Sequence, residues 1–135
     1  MHPFEILFTD GNRKTVLMDS ISYVTAENRG DIIISGSHGG TSSAGYAIDA
    51  RVAAVFFNDA GIGKNGAGIK GLEMLSEHTI IAAAVSHESA EIANAADTYK
   101  NGIISQVNSC AAQAGIVMDS PVADALMVLR TYLKR

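Results

Sequence analysis

Three short apolar runs dominate the middle of the chain, and a polar loop rich in small residues follows each of them. The runs cover residues 32–35, 52–57 and 79–85. β-Branched side chains without polar alternation are typical of strands that are buried on both faces of a sheet. Helical patterns follow the loops, so the chain repeats strand, loop and helix. This repetition predicts a three-layer α/β/α domain with a mostly parallel central sheet.

The rest of the pattern predicts a hairpin before this sheet and helices around it. Apolar runs at 4–9 and 14–18 flank Asp10-Gly11-Asn12-Arg13, and Asp-Gly is a strong turn signal. These residues therefore predict an N-terminal β-hairpin, and a short strand is expected at 21–24. Helices are expected at 41–50 with Thr41 or Ser42 as N-cap, at 67–77, at 88–96, at 103–114 with Gly115 as its stop, and from Ser120-Pro121 onward.

Composition narrows the class of protein. The 135 residues fit one domain, 1–135, and 47% apolar with 18% charged residues is ordinary for a globular protein. The net charge of −4 without a basic run argues against nucleic acid as a partner. No apolar run approaches the ~20 residues that span a bilayer, which argues against a membrane. The lone Cys110 and an N-terminus without a signal-peptide pattern predict a cytoplasmic protein.

The loop after the first central strand combines a histidine with three glycines, in Ser35-Gly36-Ser37-His38-Gly39-Gly40. Glycine lets the backbone turn and expose its N–H groups, so Gly39, Gly40 and the helix start predict an anion or oxyanion site, with Ser37 beside it. His38 is the expected general acid/base, because histidine changes charge near neutral pH. A helix cap or a contact with another loop is the structural alternative for His38.

The loop after the second central strand, residues 58–68, carries a carboxylate among glycines. Asp59 is expected to orient His38 or to carry a second proton, and an Asx turn is its structural alternative. The substrate contacts expected from this loop are Asn58, Lys64 and the N–H groups of Gly61 and Gly63. For Lys64 the alternative is a solvated lysine.

The same loop contains the spacing Gly-x-Gly-x-x-Gly at Gly61, Gly63 and Gly66, and Glu88 lies at about the distance expected of a ribose contact. Asn58-Asp59 interrupts the tight turn that a dinucleotide site needs. We therefore expect no cofactor.

The loop after the third central strand is Ser86-His87-Glu88-Ser89. His87 is the third catalytic candidate, and Ser86 and Glu88 are expected to contact the substrate, although both also suit a helix start. Two histidines and one carboxylate form a common metal ligand set, but no ligand spacing supports it, so no metal is expected. The Gly-x-Ser-x-Gly elbow of serine nucleophiles is also absent.

Part of the chain is similar to caspase-like α/β proteins. In that family a His-Gly after one sheet strand faces a cysteine after the next, and here Ser37-His38-Gly39 follows 32–35, with residues 55–61 as the next strand. The stretch 83–105 also resembles the segment after the nucleophile strand. Ala60 or a neighbour occupies the expected cysteine position, so the resemblance implies the scaffold without peptidase activity.

These loops predict a small-molecule enzyme, a hydrolase or lyase for a small polar or anionic metabolite. A non-catalytic binding or regulatory domain for a nucleotide or carboxylate is the alternative. The hairpin and the last amphipathic helix are expected to form contacts in a homo-oligomer.

Overall fold

A six-stranded sheet forms the centre of the structure, a computed structural model that describes residues 4–134. The strands lie in chain order, and β2 to β5 are parallel, whereas β1 and β6 are antiparallel to their neighbours. The α/β class, the mostly parallel sheet and the N-terminal hairpin are confirmed. The strands are β1 (Phe4–Asp10), β2 (Arg13–Met18), β3 (Ile32–His38), β4 (Ala54–Asn58), β5 (Ile81–Val85) and β6 (Ile104–Val107).

Residues 4–134 also form five α-helices and three short 3-10 turns, and the last two helices follow the final strand. The helices are α1 (Thr41–Ala50), α2 (Gly71–Glu77), α3 (Ala95–Asn101), α4 (Ser109–Ala114) and α5 (Val122–Leu133), and the 3-10 turns are Ile21–Tyr23, Ala26–Asn28 and Lys64–Gly66. Within residues 4–134, no helix has the length and apolar character needed to cross a membrane.

Alternate residues of the strands belong to two separate hydrophobic clusters. Ile32 and Ile34 of β3 pack in a cluster with buried residues of α3, α4 and α5. Ile33 packs in the other cluster, with buried residues of α1 and α2. All three isoleucines are fully buried, and successive residues of a strand point to opposite faces of a sheet.

Several predicted elements were wrong. The expected strand at 21–24 is a 3-10 turn, and the helix predicted at 67–77 begins only at Gly71. Residues 88–94 of the helix predicted at 88–96 form a loop, and α3 begins at Ala95. The segment 103–114 is not one helix, because β6 pairs with β5 and α4 begins after Asn108, whose Oδ1 accepts the Ala111 N–H. Gly40 and Pro121, not the predicted serine or threonine, precede α1 and α5.

An ion pair joins the hairpin to the last helix. Arg130 of α5 donates two hydrogen bonds to the Asp10 carboxylate, at 2.8 and 3.0 Å, and its guanidinium lies 3.9 Å from the centre of the Phe8 ring. Lys134 lies 3.6 Å from the same carboxylate. The hydrogen bond from Arg130 and the charges of both cations lower the pKa of Asp10 below its ordinary value.

Three helices end in the same hydrogen-bonding pattern. After α2, the N–H groups of Ile80 and Thr79 donate to the carbonyls of Leu75 and Ser76, which is the Schellman motif. The left-handed residue of the motif is Thr79, with φ 60°, whereas α4 uses Gly115 at φ 98°. A β-branched residue is strained in this conformation, which glycine adopts without penalty. The third such end, after α1, uses Arg51.

Replacing Asp10 by Asn should lower stability at neutral pH and matter less in acid. A carboxylate whose pKa is depressed in the folded state stabilises the fold above its ordinary pKa of 3.8, and this contribution is lost as the pH falls through the depressed value. Thermal unfolding of both proteins across this range measures the effect. A difference in Tm that stays constant down to pH about 2 would contradict this role of Asp10.

Replacing Thr79 by Gly should raise the free energy of unfolding by about 0.5–1 kcal/mol, because the relief of left-handed strain exceeds the added freedom of the unfolded chain. The Thr79 side chain is exposed, so little packing is lost. Gly115→Ala is the reciprocal control and should lower stability. Denaturant unfolding measures both, and a destabilised Thr79→Gly protein would show that Thr79 is not strained.

Candidate functional site

The ends of three parallel strands lie side by side at one edge of the sheet. His38 at the end of β3 pairs with Asn58 at the end of β4, and Asn58 pairs with Val85 at the end of β5. The loops that follow these strands therefore start next to one another, about 5 Å apart from strand to strand. The loop 86–94 then runs back across this edge, since Asn58 Nδ2 donates to the Ala90 carbonyl and the Ala93 N–H donates to Gly36.

Asp59 is a buried carboxylate at this edge, with only 5% of its surface exposed. Its Oδ1 accepts the backbone N–H groups of Gly61 at 2.8 Å and of His87 at 3.0 Å. Its Oδ2 accepts the hydroxyl of Ser105 on β6 at 2.7 Å. Three segments that are distant in sequence thus meet at one side chain, which holds them by charge-assisted hydrogen bonds.

The loop after Asp59 runs through an unusual left-handed conformation. Ala60, Gly61, Ile62 and Gly63 all have positive φ, between 51° and 74°. The Asn58 and Asp59 side chains each accept the N–H group two residues further on, and the Ile62 N–H donates to the Asp59 carbonyl at 2.6 Å. Positive φ is strained for a β-branched residue such as Ile62, and strain of this kind clusters at active sites and ligand-binding loops.

Close backbone packing accounts for several glycines of the two loops. A Cβ atom at Gly68 would overlap the Asp59 carbonyl oxygen, and one at Gly71 would overlap that of Gly40. The Gly39 N–H already donates to the carbonyls of Gly68 at 2.8 Å and Asn58 at 3.2 Å. The predicted oxyanion donors Gly39 and Gly61 are therefore occupied within the fold. The N–H groups of Gly40 and Gly63 have no hydrogen-bond partner among residues 4–134.

His87 lies against this loop with its ring half-exposed. Its Nδ1 is 3.5 Å from Asp59 Oδ1, and its ring covers Gly61, where an added Cβ would lie 3.5 Å from the ring. The distance between Nδ1 and Oδ1 is longer than that of an ordinary hydrogen bond. Asp59 and His87, two of the predicted catalytic residues, are thus brought together.

His38, the predicted general acid/base, stands apart from this pair. Its side chain is exposed, and its ring lies beside Gly40, where an added Cβ would be 2.8 Å away. Within the described chain, no hydrogen bond or ion pair joins His38 to Asp59 or to His87. It shares the edge of the sheet with them through the pairing of β3 with β4.

Some of the other side chains predicted to contact the substrate are hydrogen-bonded within the fold, and others are exposed. Asn58 is fully buried and bonds to Ala60 and Ala90, so it holds the loops. The Ser37 hydroxyl accepts the Ile21 N–H, and the Ser86 hydroxyl accepts that of Glu88. Two of the predicted contacts, Lys64 and Glu88, are exposed charged side chains without an ion pair among residues 4–134.

Ser105 is the site residue that sequence reasoning missed. It lies in β6, which the pattern had merged into a helix, and β6 is irregular where it pairs with β5. The β-branched pair Ile103-Ile104 and the helix cap Asn108 were the available signals of a strand before a helix.

The described residues form no metal site, and the chain matches no family model. No group of three or more His, Cys, Asp or Glu side chains comes together as a metal site within residues 4–134. Comparisons with protein-family models, with curated proteins and with solved structures gave no match. The similarity to caspase-like proteins therefore rests on the short motifs alone.

Replacing Asp59 by Ala should lower the free energy of unfolding by about 3 kcal/mol, because two backbone N–H groups and one hydroxyl lose their acceptor. Asp59→Asn keeps an oxygen acceptor and should retain more than half of that stability. Chemical denaturation of both variants makes the comparison. Equal stability of the wild type and Asp59→Ala would show that the carboxylate does not hold the loops together.

Proposed function

We propose that the chain is an enzyme that acts by general acid/base catalysis on a small polar or anionic metabolite, as a hydrolase or lyase. His87 carries the proton, and Asp59 orients its ring. The observation that carries this proposal is the buried Asp59 carboxylate beside the half-exposed His87 imidazole, with 3.5 Å between Oδ1 and Nδ1. A carboxylate at Nδ1 selects the tautomer whose Nε2 is free to take a proton.

The surroundings of the pair support a polar or anionic substrate. Lys64 adds a positive charge in the loop after β4, and the N–H groups of Gly40 and Gly63 remain as donors. His38 supplies a second imidazole at the end of the adjacent strand. Acid/base reactions often need one group to remove a proton and another to return it.

A non-catalytic binding domain is the second candidate, and the occupied serine hydroxyls favour it. Those of Ser37, Ser86 and Ser105 are all engaged in the fold, and the lone thiol, Cys110, lies on α4 near Ser76. These side chains, which include the hydroxyl and thiol nucleophiles of covalent hydrolases, are thus engaged in the fold among residues 4–134. Saturable ligand binding without turnover would select this candidate.

The proposal also covers the layer arrangement of the domain, its oligomeric state and its location in the cell. The two core clusters support a three-layer, single-domain arrangement, with α1 and α2 on one face of the sheet and α3 to α5 on the other. Exposed Met127 and Val128 on α5 support self-association into a homo-oligomer, since large apolar side chains grouped on a surface mark interaction sites. The composition supports a cytoplasmic protein without a nucleic-acid partner.

Replacing His87 by Gln should lower turnover by about 100- to 10,000-fold, the usual contribution of a positioned proton carrier. The assay uses a panel of amides, esters, lactones, hydroxy acids and keto acids. Asp59→Asn should lower turnover as well while the protein stays folded. His78→Gln is the matched control, because His78 is an exposed histidine at the opposite edge of the sheet.

Three outcomes separate the candidates. Loss of turnover in His87→Gln and Asp59→Asn with an unchanged His78→Gln protein supports the pair as the catalytic centre. Loss of turnover in the His38→Gln protein alone would show that His38, and not His87, carries the proton. Full turnover in the His87→Gln protein would end the proposal.

A further inference from the structure

The edge of the sheet opposite to His87 carries a groove with an excess of positive charge. Two adjoining cavities of about 640 and 240 Å³ lie between the hairpin turn, the end of α5 and the turn before β3, and they share Asp10 and Arg13. Arg29 lines the smaller cavity, and Arg130 and Lys134 line the larger one. We call this pair of cavities the arginine groove.

The charges of the groove do not balance. Asp10 is the one carboxylate among its lining residues, and Arg130 and Lys134 already neutralise it. Arg13 and Arg29 have no carboxylate partner among residues 4–134. Among the lining residues within 4–134, four cations thus face a single anion, in a protein whose net charge is −4. Concave surfaces lined by charges of one sign concentrate the field and attract ions of the opposite sign.

Arg13 is held in place with donors to spare. Its Nε donates to the Gly30 carbonyl at 2.7 Å and its Nη1 to the Leu133 carbonyl at 2.9 Å, so two of its five N–H donors are used. Arg29 is exposed, and no hydrogen bond or ion pair involves its side chain within the described chain. One fixed and one free guanidinium at the same cavity suit an oxyanion, since each can bind two oxygens at once.

We propose that the arginine groove is a binding site for a small oxyanion with two or more negative charges, a phosphate or a polycarboxylate. Arg13 and Arg29 bind the oxyanion, and Asn12 at the hairpin turn adds an amide donor. The volume suits a small molecule. Binding relieves the repulsion between the uncompensated cations, so the ligand also stabilises the fold. The site is separate from the proposed catalytic pair and does not depend on it.

The test is a titration of ¹⁵N-labelled protein with pyrophosphate and, separately, with citrate at constant ionic strength. Saturable shifts of the Gly11, Asn12 and Gly30 amides with either probe are expected, and the stronger probe identifies the anion class. Arg29→Gln should weaken binding by about tenfold, because one guanidinium contact is lost. Lys64→Gln and Arg51→Gln are matched controls, cations outside the groove, and should bind as the wild type does.

Three results would overturn the proposal. The first is the absence of saturable shifts with both anions at millimolar concentration, and the second is binding that Arg29→Gln leaves unchanged. The third is shifts that centre on residues 58–68, which would place the anion near His87 instead. The Arg29 side chain is exposed and makes no hydrogen bond or ion pair within residues 4–134, so we expect the Arg29→Gln protein to stay folded.

Discussion

The Asp59 carboxylate receives hydrogen bonds from the loop that follows it, from the loop after β5 and from β6. Burying a carboxylate is unfavourable unless donors replace the water that it loses, and here two N–H groups and one hydroxyl do so. One of these donors, the Gly61 N–H, lies between the left-handed residues Ala60 and Ile62, and the Ile62 N–H donates to the Asp59 carbonyl. The bond from the His87 N–H also holds His87 beside the carboxylate. The same carboxylate therefore stabilises the strained loop and positions the candidate catalytic histidine.

The order of the strands places this site differently from that of many parallel α/β proteins. Ligands of such proteins often bind at a crevice where the strand order reverses. Here β2 to β5 follow one another without a reversal, so no such crevice separates them. The loop 86–94 instead crosses the strand ends, and Asn58 and Gly36 hold it there. The arginine groove lies at the other edge, where α5 ends and where β2 and β3 begin.

Sequence reasoning recovered the parts of the fold that local chemistry determines. The isoleucine run of β3, the Asp-Gly turn of the hairpin and the boundaries of α1 follow from side-chain shape and turn preference. It failed at 103–114, where apolar residues at helical spacing conceal a strand that exists because β5 offers an open edge. That pairing depends on residues about twenty positions away, which a local pattern does not contain. Ser105 was missed for the same reason.

Sequence reasoning predicted part of the candidate site. Asp59 and His87 were identified because polar residues after adjacent parallel strands share one edge of the sheet. The sequence did not indicate that the N–H groups of Gly39 and Gly61 are hydrogen-bonded within the fold. Those bonds depend on the close approach of Gly68 and on the rotamer of Asp59. Glycine-rich loops expose donors only when the fold leaves those donors unpaired, and here close packing of the chain takes most of them.

The most direct measurement of the central claim is the tautomer of the neutral His87 ring, read from the ¹⁵N chemical shifts of its two nitrogens. If Asp59 orients the ring, the proton resides on Nδ1, facing Oδ1, and Nε2 is unprotonated. The same experiment on Asp59→Asn should shift the proton toward Nε2. A wild-type ring protonated on Nε2, unchanged in Asp59→Asn, would contradict the account.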